Sequence, residues 1–213
     1  MNAGKFICFE GIDGSGKSTQ IRKLSKNLFN EGYSFHSTSE PTNGPIGSLL
    51  KNYLTKRITL PPEAEALLFA ADRADHLFNT INGILLTLKM DINVICDRYI
   101  LSSLAYQALR TPYDEIEKLN IVFPLPDLTI FLRRDPTIGL ASKTTDSFYR
   151  DVDEHIESLT KIAINYEIAI NKFKSRCFII ELDSDQYAED EMAEKILTEV
   201  KKILGPPPLK VIS

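Results

Sequence analysis

The feature that most constrains this chain lies within its first twenty residues. An apolar run, Phe6-Ile7-Cys8-Phe9, ends in Glu10 and passes directly into Gly11-Ile12-Asp13-Gly14-Ser15-Gly16-Lys17-Ser18-Thr19. Beyond it Ile21, Leu24 and Leu28 recur at helical spacing. Strand, glycine-rich turn and helix are the context that the pattern G-x-x-x-x-G-K-[ST] requires in order to hold phosphate. The glycines let successive backbone N–H groups turn inward, the helix amino terminus adds partial positive charge, and Lys17 adds a full one. Ser18 offers a hydroxyl to a Mg²⁺ ion bridging the terminal phosphates. A chance Gly/Ser turn would match the pattern but would lack both flanks. Gly11, Ile12, Asp13, Gly14, Ser15, Gly16, Lys17, Ser18 and Thr19 are therefore read as the binding segment for a nucleoside triphosphate.

The rest of the chain agrees with a loop of this kind mounted on a parallel sheet. Apolar, strand-like runs at 6–9, 33–37, 93–96, 128–132 and 177–182 alternate with helical patterns. Near-continuous apolar character is what a strand shows when helices cover both faces of its sheet. Helices are expected at 18–30, across a long stretch from Pro61-Pro62 to about Met90, and at about 102–109, 151–173 and 189–204. Alternation of this type predicts a doubly wound α/β fold with a mostly parallel, five-stranded sheet. The 213 residues suit a single domain with a short lid at about 139–151, and Gly205-Pro206-Pro207-Pro208 opens a peripheral tail over 205–213.

Charge and cysteine usage restrict the setting. A formal net charge of −4 is not that of a chain that coats nucleic acid through bulk charge, so an anionic ligand must meet a local concentration of cations. No apolar run reaches the roughly 18 residues that span a bilayer, and Phe6–Phe9 is too short for a signal peptide. Cys8, Cys96 and Cys177 lie far apart in apolar runs and read as reduced core residues of a cytoplasmic protein. His36, His76 and His155 are equally scattered, which argues against a zinc site.

Three further segments carry chemistry. Asp97 follows the apolar strand Asn93-Val94-Ile95-Cys96, where a fold with this loop places a Mg²⁺-organising carboxylate; a strand-ending turn Asp is the plainer alternative. Arg98 comes next, where two phosphate groups must be brought together. Phe69 and Arg73 stand four residues apart and share a helix face, an aromatic plate beside a guanidinium that suits a planar base with acceptors on its edge. A core Phe with a solvated Arg would give the same spacing. Ser102 with Tyr106, and Ser103 with Gln107, repeat it on the next helix, where a solvated face is equally compatible.

Taken together these residues resemble the thymidylate kinase family, P-loop nucleoside monophosphate kinases that phosphorylate dTMP with ATP. The resemblance runs from Phe9 to about Leu182 and rests on Phe9-Glu10-Gly11 through Thr19, on Glu40-Pro41, on Leu67-Leu68-Phe69-Ala70-Ala71-Asp72-Arg73-Ala74, and on Asp97-Arg98-Tyr99 with Ser102 and Ala105-Tyr106-Gln107. It implies dTTP synthesis as the context and a homodimer as the assembly, with the 61–90 region as a candidate interface. It implies that Asp13 lies near the deoxyribose and phosphate of dTMP, that Phe69 stacks on thymine and that Arg73 bonds its edge. Arg98 and Lys51 would contact the monophosphate, Ser102, Tyr106 and Gln107 would line the nucleoside pocket, and Glu40 resembles an acidic residue near the acceptor site and metal. Lys17, Asp97, Arg98 and Arg150 form the catalytic set, with Ser18 and Asp97 holding Mg²⁺.

The chain departs from the family pattern twice. Thr42-Asn43-Gly44 replaces a glycine-rich continuation after Glu40-Pro41, and the lid keeps only Lys143 and Arg150 where related lids with Gly at the position of Gly14 carry several arginines. Counting back from Tyr166, Arg150 falls where related lids place an arginine, and its planar fork suits phosphate oxygens better than the ammonium of Lys143. Pairing of Arg150 with Asp146 or Asp153 is its structural alternative. Three other readings compete: a related kinase acting on another monophosphate or a deoxynucleoside, a nucleotide-binding protein without activity, and a GTPase switch. The last fails chemically, because the nearest match to a guanine-reading motif, Asn171-Lys172-Phe173-Lys174, ends in a lysine that accepts no hydrogen bond.

Overall fold

The computed structural model describes residues 3–141 and 152–207. Its elements follow in the order β1 (Phe6–Glu10), α1 (Lys17–Glu31), β2 (Phe35–Ser39), α2 (Pro45–Leu54), α3 (Pro62–Phe78), α4 (Ile84–Lys89), β3 (Asn93–Asp97), α5 (Ile100–Tyr106), a 3₁₀ turn (Gln107–Leu109), α6 (Tyr113–Asn120), β4 (Leu128–Arg133), α7 (Pro136–Ala141), α8 (Val152–Phe173), β5 (Ile179–Asp183) and α9 (Glu189–Leu204). The five strands form one sheet in the order β2-β3-β1-β4-β5, and every pairing is parallel.

Side chains alternate across the sheet and so feed two cores. Phe6, Cys8, Val94, Cys96 and Phe131 pack on one face against α3, α5 and α8, contributing with Ala66, Leu104 and Tyr166 to a single cluster. Ile7, Phe9, Ile95, Ile130 and Leu132 point the other way, against Leu24 and Leu28 of α1 and Met192, Ile196 and Val200 of α9. Cys8 and Cys96 stand in register on adjacent strands, fully buried, and burial pushes both thiols well above their ordinary range.

Several elements differ from the sequence expectation. The stretch from Pro61 to Met90 is not one helix. Asn79 turns the chain, its side-chain oxygen accepting from Ile81 N at 2.9 Å. Gly83 packs so closely on that turn that a Cβ there would lie 2.5 Å from Asn79 O. The second strand begins at Phe35 rather than Tyr33, whose ring is buried and whose hydroxyl donates to Gly205 O at 2.6 Å. The fifth begins at Ile179, because Cys177 N still bonds Phe173 O at the end of α8. The expected helix at 102–109 starts earlier, at Ile100, and tightens into the 3₁₀ turn after Tyr106. The helices α2, α6 and α7 were not anticipated, although Pro45, Pro112 and Pro136 mark their starts. Tail residues 208–213 and most of the lid, with Lys143 and Arg150, lie outside the described residues.

Register decides what meets at the carboxyl edge of the sheet, where open α/β sheets bind ligands. Phe9 pairs with Asp97 and Ser39 pairs with Asp97 on the other side. The P-loop, the Glu40 segment and Asp97-Arg98 therefore leave the sheet side by side. The 40–44 segment is held down by α2: Gly47 sits so near that a Cβ would lie 2.2 Å from Thr42 O and 2.6 Å from Thr42 N. Gly47→Ala must push α2 off this segment and is expected to lower stability by about 1–3 kcal/mol, the usual cost of overpacking. Urea unfolding of the variant measures it, and an unchanged midpoint would contradict the packing.

Candidate active site

Two centres lie next to one another at the edge just described. The first is the P-loop. Gly11 takes φ of 143°, and a Cβ on it would lie 2.5 Å from Leu132 O, so only glycine lets the loop leave β1 beside β4. Lys17, the first residue of α1, folds back until Nζ donates to Gly11 O and Ile12 O, each at 3.0 Å. Lys17 is only 6 % exposed. Burial, helped by the nearby Arg98 charge, pulls its pKa down to about 8 against the opposing pull of Asp97, Asp13 and Glu10. Among the described residues Nζ hydrogen-bonds only these two carbonyl oxygens, which leaves its charge for a polyanion in the loop. Ser184, after β5, donates to Ser15 O at 2.8 Å and braces the loop from the far side. Ser18 is exposed at the helix start, and Thr19 follows it half-buried.

The second centre is a cavity of about 360 Å³ walled by α3, α5 and the P-loop. Asp13, Glu40, Phe69, Arg73, Arg98, Ser102, Tyr106 and Gln107 all line it. Lys51 is not among its walls: its Nζ donates to Asn43 Oδ1 at 2.5 Å. Phe69 is half-buried, with ring surface open to the cavity. Arg73, one turn further along α3, is 1 % exposed and is held at every nitrogen. Its Nε and Nη2 donate to Glu40 Oε2 at 3.0 and 2.7 Å, Nη2 also donates to Ser103 Oγ at 3.0 Å, and Nη1 donates to Asn120 Oδ1. The alternative of a solvated arginine is thereby overturned. The resemblance implies that Glu40 lies near the acceptor site and metal; it lines the cavity, and its described partners there are Arg73 and His76.

Arg98 joins the two centres. Its backbone takes φ of 71°, an uncommon conformation for a side chain with a Cβ, and its N–H bonds Phe9 O at 2.9 Å. From there the guanidinium reaches Asp13 Oδ1 at 2.7 Å and the Tyr106 hydroxyl at 3.0 Å, and lies over the Tyr106 ring at 4.7 Å. Asp97 Oδ1 is buried with no hydrogen-bond partner among the described residues, an orphan carboxylate oxygen beside the P-loop. That is the donor a hard divalent cation takes, and with the Ser18 hydroxyl it fits Mg²⁺.

Three participants were not read from the sequence. Glu10, 1 % exposed, accepts Tyr99 N at 2.9 Å and Ser102 N at 3.1 Å through one oxygen and Ser102 Oγ through the other. Tyr166 of α8 places its hydroxyl 3.1 Å from Glu10, 2.8 Å from Ser102 Oγ and 3.2 Å from Arg98 Nη1. Ser103, noted for its spacing but not assigned, receives Arg73. An acid closing an apolar strand just before Gly11 was the visible signal for Glu10; nothing local distinguished Tyr166 within its helix.

Comparisons with known proteins agree with this geometry. A family model for thymidylate kinase matches residues 9–202. A protein named thymidylate kinase from Caldicellulosiruptor saccharolyticus is 35 % identical over 205 residues, 93 % of this chain and 98 % of the relative. Another from Desulfotalea psychrophila is 38 % identical over 166 residues, 74 % of this chain and 81 % of the relative. A phosphate loop and a base-sized cavity bridged by one arginine are what phosphoryl transfer between two nucleotides needs, and the matches span both centres: the chain belongs to the thymidylate kinase family, enzymes that phosphorylate dTMP with ATP.

Proposed function

We propose that the two centres divide the reaction, the P-loop holding ATP and the 360 Å³ cavity holding dTMP, with Arg98 between the donor and acceptor phosphates. The observation that carries this is the position of Arg98, bonded to Asp13 of the P-loop and stacked on Tyr106 of the cavity wall. Phosphoryl transfer needs positioning and charge neutralisation more than covalent help from protein. Lys17 supplies a buried positive charge at the transferred group, and Arg98 draws the acceptor phosphate into line. Ser18 and Asp97 would hold Mg²⁺, which when bound supplies further neutralisation of the phosphate oxygens.

In the cavity Phe69 offers its face to the base and Arg73 its edge. Thymine presents a carbonyl acceptor where cytosine presents an amino donor, so a guanidinium there favours dTMP. Asp13 and Tyr106 approach the sugar and phosphate, while Ser102 and Gln107 complete the wall. Gln107 Oε1 is buried with no hydrogen-bond partner among the described residues, which supports a ligand contact. Lys51 could reach the monophosphate only by leaving Asn43. Arg150 is assigned from sequence alone as the lid cation, supported by Gly14, which leaves Lys17 as the one basic side chain of the loop.

Two cores built on one sheet support a single kinase domain over 1–213. A homodimer is supported by Phe78, Ile81, Ile121 and Val122, which are exposed apolar residues, with the Phe78 ring 6.4 Å from that of Phe123. No helix among the described residues is long and apolar enough to cross a membrane. The free Cys8, Cys96 and Cys177 support a reducing, cytoplasmic setting.

Lys17→Ala is expected to lower kcat by on the order of 10³-fold, the scale of a preorganised charge lost from a transition state; near-normal turnover would remove the P-loop assignment. Arg73→Ala is expected to raise KM for dTMP far more than KM for ATP, at a cost of about 1.5–3 kcal/mol for a buried charged hydrogen bond. Equal losses for both substrates in initial-rate measurements would make Arg73 a purely structural residue.

A further inference from the structure

Arg73 is fully buried, so the direction in which its guanidinium faces the cavity depends on what holds it. Its main partner is one oxygen of Glu40, which takes both Nε and Nη2. The other oxygen, Oε1, lies 3.0 Å from His76 Nδ1. A carboxylate oxygen can only accept, so Nδ1 carries the proton. His76 Nε2 in turn lies 2.7 Å from Thr38 Oγ1 on β2. The same helix grips the segment again next door, Asp72 accepting from Thr42 N at 2.8 Å and Thr42 Oγ1 at 2.6 Å. Thus α3 both carries Arg73 and, through His76 and Asp72, fixes the carboxylate that aims it.

His76 does not line the acceptor cavity. It lines a separate cleft of about 580 Å³ with Thr38 and Asp75, and its link to the acceptor cavity among the described residues runs through Glu40. We propose that His76 is a positioning residue for base selection: its Nδ1–H orients Glu40, and Glu40 orients Arg73 toward the acceptor base. The proposal rests on the reading that Arg73 meets the base. Without His76 the Glu40 carboxylate keeps Arg73 charged and paired but is free to rotate, so the guanidinium loses its fixed direction. Selectivity then falls more than turnover.

The test compares kcat/KM for dTMP and for dCMP, with KM for ATP, in His76→Ala, His76→Gln, His76→Asn and Arg73→Ala, alongside the melting temperature of each. Asn places an amide nitrogen where Nδ1 stood, whereas Gln reaches the Nε2 position and keeps only the Thr38 contact. His76→Ala and His76→Gln are expected to lower the dTMP-to-dCMP ratio about tenfold, the scale of one charge-assisted hydrogen bond, through KM for dTMP and with KM for ATP unmoved. His76→Asn is expected to restore the ratio, which lost packing alone would not do. Should His76→Ala fail to fold, the Gln and Asn pair decides. A ratio unchanged in His76→Gln but collapsed in Arg73→Ala would overturn the proposal and leave base reading by Arg73 intact. A ratio unchanged in both would overturn the proposal together with that reading.

Discussion

The carboxylate of Glu10 is the point on which the site turns. It ends β1 inside the protein, where burial raises its pKa while the Ser102 hydrogen bond and the Arg98 charge favour its ionised form. Four groups from three segments point at it: Tyr99 N, Ser102 N and Oγ, and the Tyr166 hydroxyl. A buried anion must be satisfied, and satisfying it fixes the turn after β3, the start of α5 and the middle of α8 relative to the P-loop. The left-handed backbone of Arg98 lies within that turn, held where an unconstrained arginine would not stay. The same residue bonds Asp13 of the P-loop and Tyr106 of the cavity wall and so joins the two centres.

A chain with net charge −4 binds two polyanions by concentrating its cations rather than by accumulating them. Lys17, Arg73 and Arg98 are each shielded from solvent, and each has a different escort. Arg73 has a carboxylate and two neutral acceptors, Arg98 has Asp13 and the Tyr106 hydroxyl and ring, and among the described residues the Lys17 ammonium hydrogen-bonds only backbone carbonyls, with Asp97, Asp13 and Glu10 acting on it from nearby. The least compensated of the three lies in the phosphate loop, where its charge is most needed. The best compensated lines the cavity proposed for the base, where direction counts for more than charge.

How much of this could be read from the sequence follows from how local each signal is. The P-loop was legible in full because its glycines, lysine and flanks are contiguous. The five strands were legible because their apolar runs are long enough to mark buried parallel sheet, although Tyr33 and Cys177, apolar residues just outside their strands, blurred two boundaries. Hydrophobic spacing reads 61–90 as one helix, whereas Asn79 and Gly83 break it through a side-chain turn and a close backbone approach that such spacing does not record. Phe69 and Arg73 were legible as a pair, yet the burial of Arg73 depends on Glu40, Ser103 and Asn120, which approach it from three other segments. His76 and Tyr166 were missed for the same reason, since long-range partners give a residue its role without leaving a local pattern.

The proposed division of the site requires the cavity of α3 and α5 to select a thymine-bearing monophosphate for the phosphate that the P-loop delivers. ADP release coupled to a dehydrogenase readout, with ATP and Mg²⁺ and with dTMP, dCMP, AMP and GMP supplied in turn, measures that selection. Efficient turnover is expected with dTMP, and kcat/KM values roughly 10²-fold or more lower with the others, as where a buried hydrogen-bonding group is left facing the wrong base edge. Turnover of AMP or GMP as efficient as that of dTMP would contradict it.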